Sequence, residues 1–137
     1  MISKKKKSGV LMTEKIDSLE SFQKYREKMN KIIMENGNLV TKRFFNLDSK
    51  TYEPGALDVK TKEMLGLVAS AVLRCDDCIT YHIIRAVQEG VTEEEIFEVL
   101  NVALIVGGSI VIPHFRRAVE RYYECAELQK QGKDLNL

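Results

Sequence analysis

Two cysteines followed by a histidine are the residues in this sequence whose types and spacing can do chemistry. Cys75 and Cys78 are separated by two residues, and His82 follows Cys78 by four. On an α-helix these spacings place the three side chains on one narrow stripe, because successive residues turn by about 100°. The sequence therefore predicts a base beside a dithiol.

Thiols placed in this way are suited to redox chemistry. The thiolate is the nucleophilic form of cysteine, and the unpaired N–H groups at a helix N-terminus stabilise its charge. A nearby imidazole can take the thiol proton, and a second cysteine can resolve a sulfenic acid or a mixed disulfide formed on the first. We therefore expect the pair to act as a two-electron couple.

A carboxylate upstream is the predicted partner of the histidine. Glu63 lies on what reads as the preceding helix, beside the apolar residues Met64 and Leu65. A reversal of the chain near residues 73–74, followed by antiparallel packing, brings Glu63 and His82 to about the same level. A carboxylate at the edge of an apolar layer must be paired or protonated, so we expect Glu63 to orient or charge His82.

These four residues also form a known pattern. Glu63, eleven intervening residues, Cys75, Cys78 and His82 resemble the E-x11-C-x2-C-x3-H pattern of the alkylhydroperoxidase AhpD-like proteins, within the carboxymuconolactone decarboxylase superfamily. Residues 55–108 are similar to the core of that family. The resemblance implies an all-α helical bundle whose protomers assemble, commonly as trimers or hexamers.

The resemblance also implies an activity. It points to an antioxidant enzyme, a peroxidase or disulfide reductase, with Cys75, Cys78, His82 and Glu63 as catalytic residues and with no cofactor. The expected partners are a peroxide or disulfide substrate and a dithiol or protein thiol reductant. Cys78 is the expected attacking thiol because it lies one turn from His82, and Cys75 would resolve it. The order stays open, since the first cysteine of many C-x-x-C pairs is the exposed one.

One departure from the pattern lies between the cysteines. This chain has Asp76 and Asp77 where AhpD carries a histidine. A peroxidase mechanism that needs a second imidazole lacks one here. The two acidic side chains oppose thiolate formation unless they cap the helix instead.

Several other interpretations remain open. A C-x-x-C pair with a histidine can belong to a zinc site, but a structural site needs four ligands, and His114 and Cys125 are distant in sequence, so no metal is expected. The cysteines can also be small buried residues. A lyase acting on a small lactone acid and a non-enzymatic redox-sensing adaptor are the alternative functions.

Composition narrows the class of protein. A chain of 137 residues with a net charge of +1 is long enough for one domain and has no global field that would attract nucleic acid. Residues 4–7 are a run of lysines, so we expect residues 1–16 to form a disordered basic tail and 17–137 a single domain. Three cysteines, no apparent signal peptide and no apolar run long enough for a bilayer predict a cytoplasmic protein without membrane contact.

The remaining patterns predict an all-α fold. Apolar residues recur at helical spacing, no segment alternates as a strand does, and Asp17 or Ser18, Asp58 and Thr92 are predicted to cap helices. Six helices are expected, with a loop at 48–55: they cover about 18–36, 38–47 or beyond, 59–73, 76–90, 93–106 and 111–130.

The segment 99–112 is apolar on all faces, which is more than a small bundle buries, so we expect it to form an interface between protomers. His114 and Cys125 lie on the last predicted helix without a partner at matching spacing. We expect His114 to be a packed or interface histidine and Cys125 to be structural.

Overall fold

The computed structural model describes residues 18–136. Within that range the chain forms six α-helices, one short 3-10 helix at Ser109–Val111 and no strand. The helices are α1 (Leu19–Asn36), α2 (Leu39–Thr51), α3 (Val59–Val72), α4 (Asp76–Gln88), α5 (Glu93–Gly107) and α6 (Ile112–Lys130). This confirms the predicted all-α fold. The basic run at 4–7, the predicted tail at 1–16 and the candidate cap Asp17 lie outside the described residues.

Side-chain caps explain where four of the helices begin. Ser18, Asn38, Asp58 and Thr92 each accept a hydrogen bond from the backbone N–H three residues later. Thr92 also forms the predicted capping box with Glu95. Each cap satisfies an N–H that the helix itself leaves unpaired, which stabilises a helix start by about 1 kcal/mol.

The predicted loop at 48–55 is wrong in its first half, because α2 continues to Thr51. A lysine on α3 supports this extra turn. Lys62 Nζ donates to the carbonyl oxygens of Thr51 at 2.8 Å and Glu53 at 2.6 Å. These carbonyls have no partner within the helix, so a cation from a neighbouring element stabilises the end of α2.

Helix α4 is the centre of the bundle. It packs against α3 on one side and α6 on the other, and α3 also packs against α5. Its inner face is fully buried and aliphatic, and it consists of Ile79, Ile83, Ile84, Ala86 and Val87. Burial of each large aliphatic side chain contributes roughly 1.5–3 kcal/mol, so the helix that carries the cysteine motif is held in place mainly by this face.

A tight turn joins α3 to α4 and determines which residues of the two helices lie side by side. Arg74 adopts the left-handed conformation with a φ of 61°. Cys75 N–H donates to the carbonyl of Ser70 and Arg74 N–H donates to that of Ala71, both at 3.1 Å. This is the Schellman arrangement that ends many helices, and it returns the chain antiparallel to α3, as predicted.

Helix α2 contrasts with the rest of the bundle. It has few contacts with the other helices, and several of its apolar side chains face outward: Leu39, Val40, Phe44 and Leu47 are all at least 60% exposed. Among the described helices, none combines the length and the apolar character needed to cross a membrane.

Candidate active site

The two cysteines lie at the N-terminus of α4 and are joined as a disulfide. Cys75 is the N-cap residue, and its Sγ accepts a hydrogen bond from the backbone N–H of Cys78 at 3.3 Å. Cys78 is exposed, whereas Cys75 is partly buried. The pair therefore sits where helix N–H groups stabilise negative charge on sulfur, and Cys78 is the more accessible of the two.

His82 lies one turn further along α4 and contacts Glu63 on α3. His82 Nδ1 is 2.8 Å from Oε2 of Glu63, and the glutamate side chain is completely buried. A carboxylate can only accept, so Nδ1 carries the hydrogen and Nε2 of the neutral ring carries a lone pair. The predicted Glu63–His82 contact is present; the catalytic roles of both residues stay predictions.

Arg85 completes the charge balance around the buried carboxylate. Its Nε lies 3.5 Å from Oε1 of Glu63, an oxygen that makes no hydrogen bond among the described residues. An unpaired buried carboxylate would cost several kcal/mol, and a guanidinium next to it offsets part of that cost. Sequence reasoning missed Arg85, although its position three residues after His82 places it near the same face of α4.

A glycine makes room for the imidazole. A Cβ atom added at Gly66 would lie 2.5–2.8 Å from Cε1, Nε2 and Nδ1 of His82. Any larger residue would have to push the ring away from its place beside Glu63. The helical cost of a glycine within α3, about 1 kcal/mol relative to alanine, is therefore offset by the close approach of α4.

Two tyrosines flank His82. Tyr52, at the end of α2, places its Oη 3.5 Å from His82 Nε2, and Tyr81 meets the ring edge-on with centroids 5.1 Å apart. Burial, followed by the charge of Glu63, raises the pKa of both phenols above the ordinary value, so both stay protonated at neutral pH. Neither tyrosine follows from the C-x-x-C spacing, and sequence reasoning missed them.

The acidic residues between the cysteines do not cap α4, because Cys75 occupies that position. Instead, Asp76 Oδ1 lies 2.7 Å from Nδ1 of His114, and Asp76 Oδ2 accepts from Arg117 at 3.0 Å. His114, expected to be a packed or interface histidine without a partner at matching spacing on α6, thus pairs with a residue of another helix. Its partner lies 38 residues earlier on another helix, which no spacing along α6 reveals. Two basic side chains thus oppose the charge of Asp76 beside the disulfide.

A cleft of about 370 Å³ opens over Cys78 and His82. One wall comes from α1 and is largely apolar, with Phe22, Tyr25 and Met29, and Arg26 stacks on the ring of Tyr81 at 4.8 Å. Such a cleft gives a small organic molecule access to the more exposed sulfur and to the imidazole together.

The third cysteine does not line this cleft. Cys125 is fully buried in α6 as a free thiol, and burial raises its pKa to about 12. It is therefore a packed side chain, as expected. Within residues 18–136, no cluster of three or more His, Cys, Asp or Glu residues is arranged to hold a metal ion.

Proteins of solved structure have a similar fold and are related in sequence. The chain is 60% identical to a carboxymuconolactone decarboxylase family protein from Thermotoga maritima for which a role in the antioxidative response has been suggested. The two structures superpose with a TM-score of 0.82 over 85% of this chain and 99% of that one. A protein of the same family from Legionella pneumophila, 26% identical, superposes with a TM-score of 0.74 over 80% of this chain and 97% of its own.

Sequence comparison leads to the same group. An uncharacterised protein of the cox locus of Paracoccus denitrificans is 30% identical over 83 residues, which are 61% of this chain and 75% of that protein. The sequence model of the carboxymuconolactone decarboxylase family matches residues 38–121. This match spans more than half of the chain and includes all of α3, α4 and α5 with the cysteine motif, so the chain belongs to the carboxymuconolactone decarboxylase family.

Proposed function

We propose that this protein is a thiol-dependent oxidoreductase, a peroxidase or disulfide reductase that cycles Cys75 and Cys78 between dithiol and disulfide. The observation that carries the proposal is the geometry of the site. An exposed cysteine and an N-cap cysteine begin α4, and an imidazole held by a buried carboxylate lies one turn beyond. The antioxidative role suggested for the Thermotoga maritima protein agrees with this activity.

The oxidising half of the cycle begins at Cys78. His82 takes the thiol proton at Nε2, and the thiolate attacks the distal oxygen of a hydroperoxide. The O–O bond breaks, Cys78 becomes a sulfenic acid, and the departing alkoxide receives a proton from His82. The thiol of Cys75 then displaces water from the sulfenic acid and closes the disulfide.

The reducing half depends on the difference in exposure between Cys78, which is exposed, and Cys75, which is partly buried. The thiolate of a dithiol reductant attacks the accessible sulfur of Cys78 and releases Cys75 as the leaving group. At the N-cap, the N–H of Cys78 stabilises the departing thiolate, which favours this direction of attack. The second thiol of the reductant then resolves the mixed disulfide. A reducing compartment such as the cytoplasm would supply such a reductant.

The test is consumption of a dithiol reductant that depends on added peroxide. We expect turnover in the wild type and its complete loss in Cys78→Ser. Cys125→Ala is the matched control because that thiol is buried and does not line the cleft, and it should retain wild-type turnover. Activity that survives in Cys78→Ser would overturn the assignment. Turnover of a lactone acid after the thiols are blocked would favour a lyase, and one oxidation without turnover would favour a sensor.

We also propose that the protomers assemble as a homotrimer or homohexamer. The segment 99–112 supports this, because Val102, Ile105, Val106 and Ile110 are more than half exposed in the protomer. Contiguous exposed apolar side chains of this kind mark protein contact surfaces.

A further inference from the structure

We infer that Tyr52 is a positioning residue of this site, whose hydroxyl holds the Nε2 side of His82 in the orientation in which the imidazole exchanges a proton with the thiol of Cys78. The inference rests on the proposed function and adds to it a residue outside the four-residue motif. It follows from what each nitrogen of the imidazole faces.

The two ring nitrogens have different partners. Nδ1 donates to Glu63 and is not available to the thiols, so proton exchange takes place at Nε2. The hydroxyl of Tyr52 lies 3.5 Å from Nε2, with the two ring centroids 5.4 Å apart. This contact is long while the cysteines are joined as a disulfide, and contacts of this kind often tighten when the reacting group is present.

The backbone of Tyr52 is fixed to the helix that carries Glu63. Tyr52 is the C-cap residue of α2, and the carbonyls on either side of it both accept from Lys62 Nζ. Lys62 directly precedes Glu63 in α3. One stretch of α3 therefore holds the partner of Nδ1 and anchors the residue that faces Nε2, so the imidazole is held from both sides.

A protonated phenol can form a hydrogen bond with His82 whether the imidazole is neutral or protonated. While the ring is neutral, the hydroxyl of Tyr52 donates to the lone pair of Nε2. When the S–H bond of Cys78 breaks and the proton moves to Nε2, the electron pair stays on sulfur and the new N–H can donate to the oxygen of Tyr52. Hydrogen bonds to an ionised partner are roughly twice as strong as neutral ones, so the hydroxyl favours the imidazolium and with it the thiolate.

Other charged groups face the same histidine and cleft, and they come from each helix that surrounds it. They are Arg26 on α1, Asp48 on α2, Glu63 on α3, and Asp77 and Arg85 on α4. All of them remain in Tyr52→Phe, which removes one hydroxyl and keeps the ring. A difference between this variant and the wild type therefore reports the hydroxyl alone.

The test measures alkylation of Cys78 by iodoacetamide in the reduced protein from pH 5 to pH 10, with mass spectrometry to assign the thiol. In Tyr52→Phe we expect the rate at pH 7 to fall about fivefold, the size of one charge-assisted hydrogen bond relative to a neutral one. The limiting rate at high pH should equal that of the wild type, because access to the sulfur is unchanged. Tyr123→Phe, which loses a hydroxyl that donates to Glu93 on α5, should match the wild type throughout.

Tyr52→Leu lacks both the hydroxyl and the ring, and it should be slowed at pH 7 at least as much as Tyr52→Phe. A Tyr52→Phe profile that superimposes on the wild type would overturn the inference, as would slowing in Tyr52→Leu alone, since the ring and not the hydroxyl would then matter. Alkylation needs no peroxide. Failure of wild-type turnover therefore counts against the proposed function, whereas turnover with superimposable alkylation profiles counts against Tyr52 only.

Discussion

The buried carboxylate has a central role in the proposed chemistry of the site. Glu63 is completely buried, its Oε2 accepts from His82, and Arg85 is the nearby cation. In the proposed cycle, its negative charge would stabilise the imidazolium that forms when His82 takes the proton of the thiol. Removing the charge while keeping the shape should therefore act on the reactive cysteine through His82.

We expect Glu63→Gln to slow iodoacetamide alkylation of Cys78 near neutral pH by about tenfold, the effect of losing one charge partner. The fold should survive, because the amide oxygen of glutamine can still accept from Nδ1. The measurement is the pH dependence of the alkylation rate, with circular dichroism to verify folding. Glu95→Gln, which loses an ion pair with Lys60 near the start of α5, is the control. Superimposable profiles for Glu63→Gln and wild type would show that the carboxylate has no such role.

At the level of single residues, the sequence predicted part of the site. The spacing of Cys75, Cys78 and His82 along one helix is local, and the apolar residues around Glu63 indicate that it is buried. Tyr52 and His114 were not predicted as partners of the site, because their contacts depend on where the ends of α2 and α6 meet α4. Separations of 30 and 38 residues carry no periodic signal.

Helix α2 is the element whose position has the least support from packing. Its end depends on the two hydrogen bonds from Lys62, and its apolar side chains face outward. Short helices with few tertiary contacts open easily in solution. The position of Tyr52 therefore depends on this anchor.

We expect Lys62→Met to increase hydrogen exchange in residues 48–57 while leaving exchange in α4 unchanged. The physical reason is that two terminal carbonyls lose their donor, at a cost of about 1 kcal/mol for an exposed contact. Lys60→Met is the matched control, because that lysine pairs with Glu95 and not with α2. Equal exchange in the two variants would show that α2 is held by other contacts.

Helix boundaries differ in how well the sequence predicts them. Ser18, Asp58 and Thr92 cap their helices through side chains that reach only three residues, so the signal is local. The loop after α2 was predicted to begin too early, at Asp48, because Asp48 and Ser49 are weak helix formers. The lysine that stabilises the last turn of α2 comes from another helix.

On the scale of the whole molecule, an apolar surface remains uncovered in the protomer. Ile105 is 84% exposed and Val106 68%, both at the end of α5. If this surface is the proposed interface, wild-type protein should elute as a trimer or larger in light-scattering chromatography. Ile105→Asp should shift it towards monomer, because burying an unpaired charge costs several kcal/mol.

Ile32→Asp on α1 is the control for the added charge, since that isoleucine is also exposed, at 41%. It should leave the assembly unchanged. A wild-type monomer would end the proposal of assembly through this surface.

The burial of Cys125 determines how many thiols the folded protein exposes to a reagent. Because its pKa is raised to about 12 and it has no exposed surface, this thiol does not react with thiol reagents while the chain is folded. The folded protomer then presents two accessible thiols when Cys75 and Cys78 are reduced and none when they are joined as the disulfide, which is the two-electron change of the proposed cycle. A thiol count on native protein is therefore a direct reading of its oxidation state, and the third thiol is counted only after unfolding.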